Sequence, residues 1–307
     1  MAKQPPARKR HAQGSAAKAL RKSTAPRTGR PARRAGKGSE SVEAWRTALT
    51  SIEPNKILVR GYVLDEMMGR VSFGEAVYLV LTGELPSPDV GRLVEALLVS
   101  SIDHGVTPPS TLAARNVATT GAPMLAAAAA GILALGSPLG GGGNIAGCVR
   151  FLDEGLELVG EWVSYDDAAR RIVEQANAKG QIPPGFGHRV HTRDPRAGRL
   201  LQMALELDLE GRYIQLIRSV ERVLAERRSA SGEPPLPINA DGAIAAACGD
   251  LGLNADSASV LFMVSCVPGI VAQAIEEQKR QPAMRQIDPA HHIYDGPDER
   301  RLPETRR

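Results

Sequence analysis

The sequence of 307 residues is poor in aromatic side chains and in cysteine. Aromatic residues make up 4% of the chain while alanine, leucine and glycine are abundant, which favours closely packed helices over a β-sandwich. The three cysteines, Cys148, Cys248 and Cys266, lie far apart and form no C-x-x-C pair. We therefore expect reduced thiols in a cytoplasmic protein, and neither a disulfide framework nor a metal site.

Strongly apolar segments are also scarce. The N-terminal region has no apolar stretch of the kind that a secretion signal carries, which again favours the cytoplasm. Residues 117–149 contain no charged side chain, but they are mostly alanine and glycine and are interrupted by Pro123 and Pro138. This stretch predicts buried helix and no membrane span.

Acidic residues are missing from the first 37 positions, which hold 12 of the 38 lysines and arginines. The remaining 26 basic and 34 acidic side chains sum to −8, so the net charge of +4 comes from the N-terminal segment. Residues 1–40 have almost no large apolar side chains, which predicts a disordered basic tail. Three roles stay open for it: a solvated extension, weak binding to nucleic acid or other polyanions, or organelle targeting, against which its prolines argue.

From residue 41 onward the pattern predicts a mainly α-helical globular region. Residues 56–62 (KILVRGY) indicate one short strand between turns. Helical spacing of apolar residues predicts helices within residues 73–85, 89–105, 122–135, 164–179, 196–229, 242–251 and 255–280. The segment 196–229 is predicted to be a helix pair broken near Gly211, and Ser164 is predicted to be an N-cap. The small side chains of 122–135 suit a tight helix crossing or a subunit interface.

The segment PPGFGHRVHTRDPR, residues 183–196, combines a glycine-punctuated turn with two histidines and three arginines. The arginines Arg189, Arg193 and Arg196 should favour the neutral form of His188. A neutral imidazole can donate a hydrogen bond to a carbonyl, and guanidinium groups hold carboxylates bidentately. The segment therefore predicts a site for a substrate rich in carboxylates, with a solvated surface loop as the alternative.

Two further side chains have both a structural and a functional interpretation. His104 follows Asp103 at the end of a predicted helix, where it would cap the helix C-terminus and favour its dipole. Asp241 lies at the start of an apolar helix, where an N-cap contributes about 1 kcal/mol. Its functional interpretation is a partly desolvated carboxyl with a raised pKa, able to remove a proton next to a carbonyl.

The glycine-rich segment LGGGGNIAG, residues 139–147, formally matches the dinucleotide-binding fingerprint. A predicted helix precedes it where the fingerprint requires a strand, and no Gly-Lys-Ser/Thr follows for a phosphate-binding loop. We predict a flexible turn between packed helices, with a ligand approaching the bare backbone as the alternative.

Read together, PGFGHRVHTRDPR and PINADGAI resemble the citrate synthase superfamily. The region from Trp45 onward is similar to its short citryl-CoA lyase branch, and the matching stretches in chain order are RGYVLDEMMGRVSFGEAVYLVLTGELPS, DHGVTPPSTLAAR, GSPLGGGGN and SCVPGIVAQAIEEQ. The resemblance implies a mainly α, citrate synthase-like homodimer. Each chain would have a large domain (about residues 41–160 and 255–307), a small domain (161–254) and an active-site cleft between them.

The resemblance also implies an acyltransferase that makes or breaks the C–C bond between acetyl-CoA and oxaloacetate, as in the tricarboxylic acid cycle. Asp241 would remove the methyl proton of the acetyl thioester. His188 would donate to the carbonyl of oxaloacetate as the new bond forms. His104 and Arg196 would hold the carboxylates of oxaloacetate.

Coenzyme A would act as a thioester substrate, with no permanently bound cofactor and no metal. The backbone of Pro184, Gly185, Phe186 and Gly187 would lie against it. A route that splits citrate would need a ligase partner that activates citrate, because free citrate is not the thioester that such a site cleaves. Neither a membrane nor nucleic acid is implied as a partner, apart from weak binding through residues 1–40.

Four positions depart from the family pattern. Gly140 stands where a histidine usually stabilises the enol of the thioester, and Ile145 replaces an acid. Cys266 replaces an arginine that would clamp a carboxylate, and Gln273 replaces a histidine. Losing one positioned donor typically costs about 10²–10³ in rate. Two alternatives to an enzyme therefore stay open: a degenerate paralogue that binds CoA or a dicarboxylate as a regulatory or partner subunit, and a dimeric platform whose basic tail binds nucleic acid.

Overall fold

The computed structural model describes residues 45–136, 141–286 and 288–302. The predicted basic tail, residues 1–40, and the position of Gly140 lie outside the described residues. From Thr47 onward the described residues belong to one unit, which is mainly α-helical as predicted. Its division into a large and a small domain stays a prediction.

A small antiparallel sheet precedes the helices. Its strands follow one another in the order β1 (Thr50–Glu53), β2 (Lys56–Val59) and β3 (Tyr62–Val63). Ile52 pairs with Ile57 in the β1–β2 register. The strand predicted in KILVRGY is confirmed as β2, whereas its two neighbours were not predicted from the sequence.

Helices make up most of the remaining described residues. In chain order they are α1 (Leu64–Met67), α2 (Phe73–Thr82), α3 (Pro88–Ser100), α4 (Pro109–Ala118), α5 (Met124–Leu135), α6 (Gly141–Leu158), α7 (Tyr165–Ala178), α8 (Pro195–Glu206), α9 (Arg212–Ala230), α10 (Ala240–Asp250) and α11 (Ala255–Arg280), followed by a 3₁₀ turn at Pro289–His291. Each predicted helical segment is confirmed; α1, α4 and α6 were not among them.

Local side chains explain where several helices begin. Ser164 accepts a hydrogen bond from Asp167 N and is the N-cap of α7, as predicted. The break at Gly211 is confirmed as well, and the carboxylate of Asp250 stabilises the new start by accepting the N–H groups of Gly211, Tyr213 and Ile214 at 2.9–3.0 Å. Burial raises the pKa of Asp250 despite these hydrogen bonds.

The prediction of a turn in residues 139–147 is wrong over the part that the structure describes, because α6 begins at Gly141. A Cβ atom on Gly141 would lie 2.5 Å from Cζ of Phe262, and one on Gly142 would lie 3.0 Å from Oγ of Ser259. Glycine disfavours helix by about 1 kcal/mol per residue relative to alanine. Here it permits a close approach of α6 to α11, and this packing outweighs the local preference.

The centre of the fold is α11, which packs against α3, α4, α5, α6 and α10. Among the described helices it alone is long and apolar enough to cross a membrane by length and composition, a test that buried core helices also pass. Its fully or almost fully buried residues are Ala258, Leu261, Phe262, Ser265, Cys266, Gly269, Ile270, Ala274 and Glu277. The uncharged stretch 117–149 is divided among the end of α4, α5 and the start of α6.

The alanine-rich α5 forms the predicted tight crossing. A Cβ on Gly131 would lie 2.5 Å from Cγ2 of Ile270 and 3.2 Å from Cβ of Ala114. By contrast, Gly198 in α8 has nothing within 4 Å of its Cβ direction. The two glycines therefore have opposite tolerance for a methyl group although both are inside helices.

We expect Gly131→Ala to lower the free energy of unfolding by about 1–3 kcal/mol, because the methyl group overpacks the crossing. Gly198→Ala is the matched control and should raise it by about 0.5–1 kcal/mol, through helix propensity and a less flexible unfolded chain. Urea denaturation of both variants measures the difference. A stabilising Gly131→Ala would show that this crossing is not closely packed.

Candidate active site

The two segments that carry the family resemblance are joined at the backbone. Gly187 N donates to Pro237 O at 2.8 Å, and Asn239 N donates to Gly185 O at 3.0 Å. The side chain of Asn239 adds a hydrogen bond from Nδ2 to Gly187 O at 2.7 Å. These bonds hold the glycine-punctuated loop against the start of α10, which carries Asp241.

The loop depends on glycine at two positions. Gly185 has φ 88° and Gly187 has φ 76°, values in the left-handed region that other residues rarely adopt. A Cβ on Gly185 would also lie 2.7 Å from Sγ of Cys148 and from Cα of Gly242. Both positions beside Phe186 therefore lack a side chain, and Gly185 and Phe186 are themselves buried.

Asp241 lies in the first turn of α10 but does not cap it. The N-cap is Asn239, whose side chain accepts from Gly242 N at 3.0 Å, so the N-cap interpretation of Asp241 is wrong. Asp241 is half-buried, and its Oδ2 accepts a hydrogen bond from Nδ2 of Asn144 at 2.6 Å. Burial raises the pKa of Asp241, although the hydrogen bond from Asn144 acts in the opposite direction.

His188 is oriented by its own loop. Its Nδ1 accepts the N–H groups of Val190 and His191, each at 3.0 Å. A neutral imidazole in this geometry carries its proton on Nε2, which is left as a donor. Partial burial and the neighbouring His191, whose ring centre lies 4.5 Å away, lower the pKa of His188. The lowered pKa agrees with the neutral form that was predicted, although burial is its leading cause. Of the three arginines in the segment, Arg196 is the one that contributes to it.

Arg196 is held by Asp194, a buried residue whose role was not predicted. Asp194 is the N-cap of α8; its Oδ1 accepts from N and Nε of Arg196 at 3.0 and 3.1 Å, and its Oδ2 accepts from Nη2 at 2.9 Å. Oδ2 also accepts from Ala240 N at 3.1 Å. Burial acts to raise the pKa of Asp194, but these hydrogen bonds outweigh it and lower the pKa. The Asp-Pro pair at positions 194–195 is a helix-start signal that could have identified this residue.

His104 lies in the loop beyond α3 and outside its last turn, because the C-cap is Ser101. The C-cap interpretation of His104 is therefore wrong. Its Nε2 lies 3.4 Å from Sγ of Cys266, and its ring meets Phe262 edge-on with centroids 5.4 Å apart. Burial lowers the pKa of His104, Asp103 raises it, and Arg196 lowers it.

The four predicted catalytic and substrate residues lie close enough together for their charges to change one another's pKa. The charge of Arg196 acts on the pKa of His104, of His188 and of Asp241. Burial raises the pKa of the Cys266 thiol to about 12, and the charge of Asp241 acts in the same direction. Within the part of the chain that the structure describes, no cluster of His, Cys, Asp and Glu could hold a metal ion.

The site therefore combines a carboxyl whose pKa is raised, a neutral imidazole with a free Nε2–H and a guanidinium group. A carboxylate in such surroundings can remove a proton next to a carbonyl, and the imidazole can polarise a second carbonyl. The pair suits the formation or cleavage of a carbon–carbon bond between two carbonyl compounds.

Residues 86–287 match the family model described as "Citrate synthase, C-terminal domain". The chain belongs to the citrate synthase family. It is 31% identical over 216 residues to the citrate synthase of Deinococcus radiodurans, a match that covers 69% of this chain and 54% of that protein. It is also 31% identical over 246 residues to citrate synthase 2 of Bacillus subtilis, covering 78% of this chain and 60% of that protein.

This member of the citrate synthase family spans about half the length of the curated relatives that it matches. The solved structure of citryl-CoA lyase from Hydrogenobacter thermophilus is 36% identical, has a TM-score of 0.74, and covers 84% of this chain and 97% of that chain. The similarity confirms the predicted citrate synthase-like fold and the resemblance to the short citryl-CoA lyase branch.

The buried carboxylate of Asp194 should make the stability of this citrate synthase fold depend on pH. Because its carboxylate has a lowered pKa, it contributes stability above its usual pKa of about 3.9, and this contribution is lost as the pH falls through the folded-state value. An amide at this position turns one of the two accepting oxygens into a donor. We expect Asp194→Asn to lower the free energy of unfolding by about 3 kcal/mol at neutral pH.

The difference between wild type and Asp194→Asn should keep its size down to about pH 5 and shrink below about pH 4. Urea denaturation across this range measures it. Asp256→Asn is the control, because the Asp256–Arg150 pair is exposed, and an exposed pair contributes about 0–1 kcal/mol. A difference that grows on acidification would contradict the lowered pKa of Asp194.

Proposed function

We propose that this protein is a citrate synthase-like enzyme that makes or breaks the carbon–carbon bond between acetyl-CoA and oxaloacetate, with citryl-CoA as the condensed thioester. The observation that carries the proposal is the site of Asp241 and His188. One is a carboxyl whose pKa is raised by burial, and the other a neutral imidazole whose Nδ1 is occupied by backbone N–H groups. The similarity to a citrate synthase and to a citryl-CoA lyase supports the same chemistry.

In the first step the carboxylate of Asp241 takes a proton from the methyl group of acetyl-CoA. The C–H electron pair remains on the substrate as an enolate. A raised pKa makes the ionised carboxylate a stronger base, which lowers the cost of this unfavourable transfer. The 2.6 Å hydrogen bond from Asn144 to Oδ2 fixes the orientation of the carboxyl, so the other oxygen is the one that can accept the proton.

In the second step the enolate carbon attacks the keto carbon of oxaloacetate, and the C=O π electrons move onto the oxygen, where Nε2–H of His188 stabilises the developing negative charge by a hydrogen bond. Because the pKa of His188 is lowered, this donor is a neutral imidazole at neutral pH. The oxygen takes a proton from solvent to become the hydroxyl of citryl-CoA, and Asp241 releases the methyl proton to solvent. In cleavage the steps reverse: the hydroxyl loses its proton to solvent while Nε2–H of His188 stabilises the oxygen, the carbon–carbon bond breaks, and protonated Asp241 returns a proton to the enolate of acetyl-CoA.

The carboxylates of oxaloacetate would be held by His104 and Arg196. Arg196 gives Nε and Nη2 to Asp194, which leaves Nη1 for the substrate and fixes the plane of the guanidinium. Cys266 stands beside His104 with a neutral thiol and supplies no charge. The segment from Pro184 to Gly187 is the proposed contact for coenzyme A, and Pro184 and Gly187 at its two ends are its more exposed residues. Coenzyme A enters as a substrate and not as a resident cofactor.

We further propose a homodimer in the cytoplasm. Three leucines on the neighbouring helices α4 and α5, Leu112, Leu125 and Leu133, are 43%, 84% and 82% exposed, and burying such large apolar side chains against a second copy would support a dimer. In the cleavage direction the proposed substrate is a thioester, so a ligase partner that activates citrate must supply it.

We expect Asp241→Asn to reduce turnover by about 10²–10⁴-fold, because the amide cannot accept the methyl proton. Two assays measure the change: formation of citryl-CoA from acetyl-CoA plus oxaloacetate, followed by mass spectrometry because the product keeps its thioester, and oxaloacetate release from citryl-CoA. Asp166→Asn is the matched control, since this exposed carboxylate pairs with Arg222 on the surface, and its turnover should equal that of the wild type.

Equal turnover in wild type and Asp241→Asn would refute the assignment of the base. A silent wild type with activity appearing in Gly140→His would favour the degenerate paralogue, in which the fold is kept and the chemistry was lost at one position. Silence of all variants in both directions would overturn the proposed substrates.

A further inference from the structure

A second group of residues supports the site from the side of α11. Phe262, Cys266, Gly269 and Gln273 follow one another at helical spacing on the face of α11 that contacts the loop holding His104. The first two touch the His104 ring directly. The last two contact its neighbour Asp103.

The loop lies flat against α11 at Gly269. A Cβ atom there would lie 2.8 Å from Cα of Asp103 and would also collide with the carbonyl oxygen of Ile102. Only a glycine leaves room for this approach. The close contact brings the carboxylate of Asp103 over the next turn of α11, where Gln273 lies.

The amide of Gln273 bridges two charged groups. Its Oε1 accepts from Nη1 of Arg115 at 2.7 Å, and its Nε2 donates to both carboxylate oxygens of Asp103 at 3.2 and 3.3 Å. Arginine only donates and a carboxylate only accepts, so the amide fits in one orientation. A glutamine can satisfy both neighbours, whereas a glutamate at the same position can satisfy only Arg115.

Arg115 gives the bridge a rigid base. Its side chain is 8% exposed, and its Nη2 lies 2.8 Å from Oε2 of Glu277, whose side chain is completely buried. Glu277 is also paired with Arg285 from the segment after α11. Buried ion pairs of this kind resist displacement because separating them leaves an uncompensated charge in the interior.

Asp103 itself is exposed and would otherwise be free to rotate in solvent. Its carboxylate accepts from Gly105 N at 3.2 Å in addition to the amide of Gln273. The two bonds hold the residues on either side of His104. The imidazole between them is thereby kept against Cys266 and Phe262.

We propose that Gln273 is a positioning residue for substrate: through Asp103 it sets the place of the His104 imidazole that receives a carboxylate of the keto acid. This inference rests on the proposed function, in which His104 binds oxaloacetate. The contribution of Gln273 is to the binding of the keto acid and not to the proton transfer at Asp241 or the hydrogen bond from His188.

The test is Gln273→Glu, which keeps the size of the side chain and the contact with Arg115 but places a carboxylate against Asp103. We expect the KM for oxaloacetate to rise about tenfold, because this is the effect expected from the loss of one charge-assisted hydrogen bond. The KM for acetyl-CoA should change less than about twofold. Adding Asp103→Asn should restore the KM for oxaloacetate to within about threefold of the wild type, because the new amide donates to the glutamate.

Gln278→Glu is the matched control on the same helix. Gln278 donates to the carbonyl oxygens of Ala118 and Ala122 at 3.2 and 3.0 Å, so its replacement also costs hydrogen bonds to the protein. A general loss of stability would affect both variants alike. We expect the KM for oxaloacetate to stay unchanged in Gln278→Glu.

NMR of the His104 ring, assigned through His104→Gln, separates this inference from the proposed function because it needs no substrate. The ring signals should move in Gln273→Glu, return in the double variant and stay in place in Gln278→Glu. Unmoved His104 signals in Gln273→Glu, an equal shift in Gln278→Glu, or no return in the double variant would overturn the inference. A wild type without turnover but with this pattern would refute the proposed reaction and keep the positioning role of Gln273.

Discussion

The geometry of the site depends on one buried carboxylate, Asp194. It caps α8, fixes the guanidinium of Arg196 through two side-chain hydrogen bonds, and accepts the N–H group of Ala240 at the start of α10. Arg196 and the residue next to Asp241 are therefore held by the same two oxygens. A charge buried with this many donors is stable only while all of them stay in place, so the two helix starts cannot move independently.

Glycine makes the second constraint possible. The backbone of Gly185 touches that of Gly242 closely, with a left-handed φ that few other residues adopt. The absence of a Cβ atom has the same effect at Gly141 and Gly269, where it lets neighbouring segments pack closely against α11. These contacts explain why a chain with few aromatic residues can bury its core: small residues bring backbones together where larger side chains would fill space.

Much of the fold could be predicted from the sequence, because the helices have regular apolar spacing and local start signals such as Ser164 and Gly211. Errors arose where packing decides the outcome. The segment from Gly141 has turn-like composition but is helical, since α11 lies against it. Among the site residues, Asp241 and His104 each had a capping interpretation that fitted the local sequence, and only the observed caps, Asn239 and Ser101, exclude it.

Two of the three departures from the family pattern within the described residues lie together, and the third, Ile145, is buried in α6 next to Asn144. Cys266 touches His104 directly, and Gln273 reaches it through Asp103, so both belong to the place where a carboxylate of the keto acid would be held. The pair proposed to carry the reaction, Asp241 and His188, is held by Asn144 and by the loop N–H groups. These supports act on Asp241 and His188 and not on the groups that would hold the carboxylates of the keto acid. The departures at Cys266 and Gln273 would therefore change the affinity for the keto acid, whereas the departure at position 140 would act on the enol of the thioester.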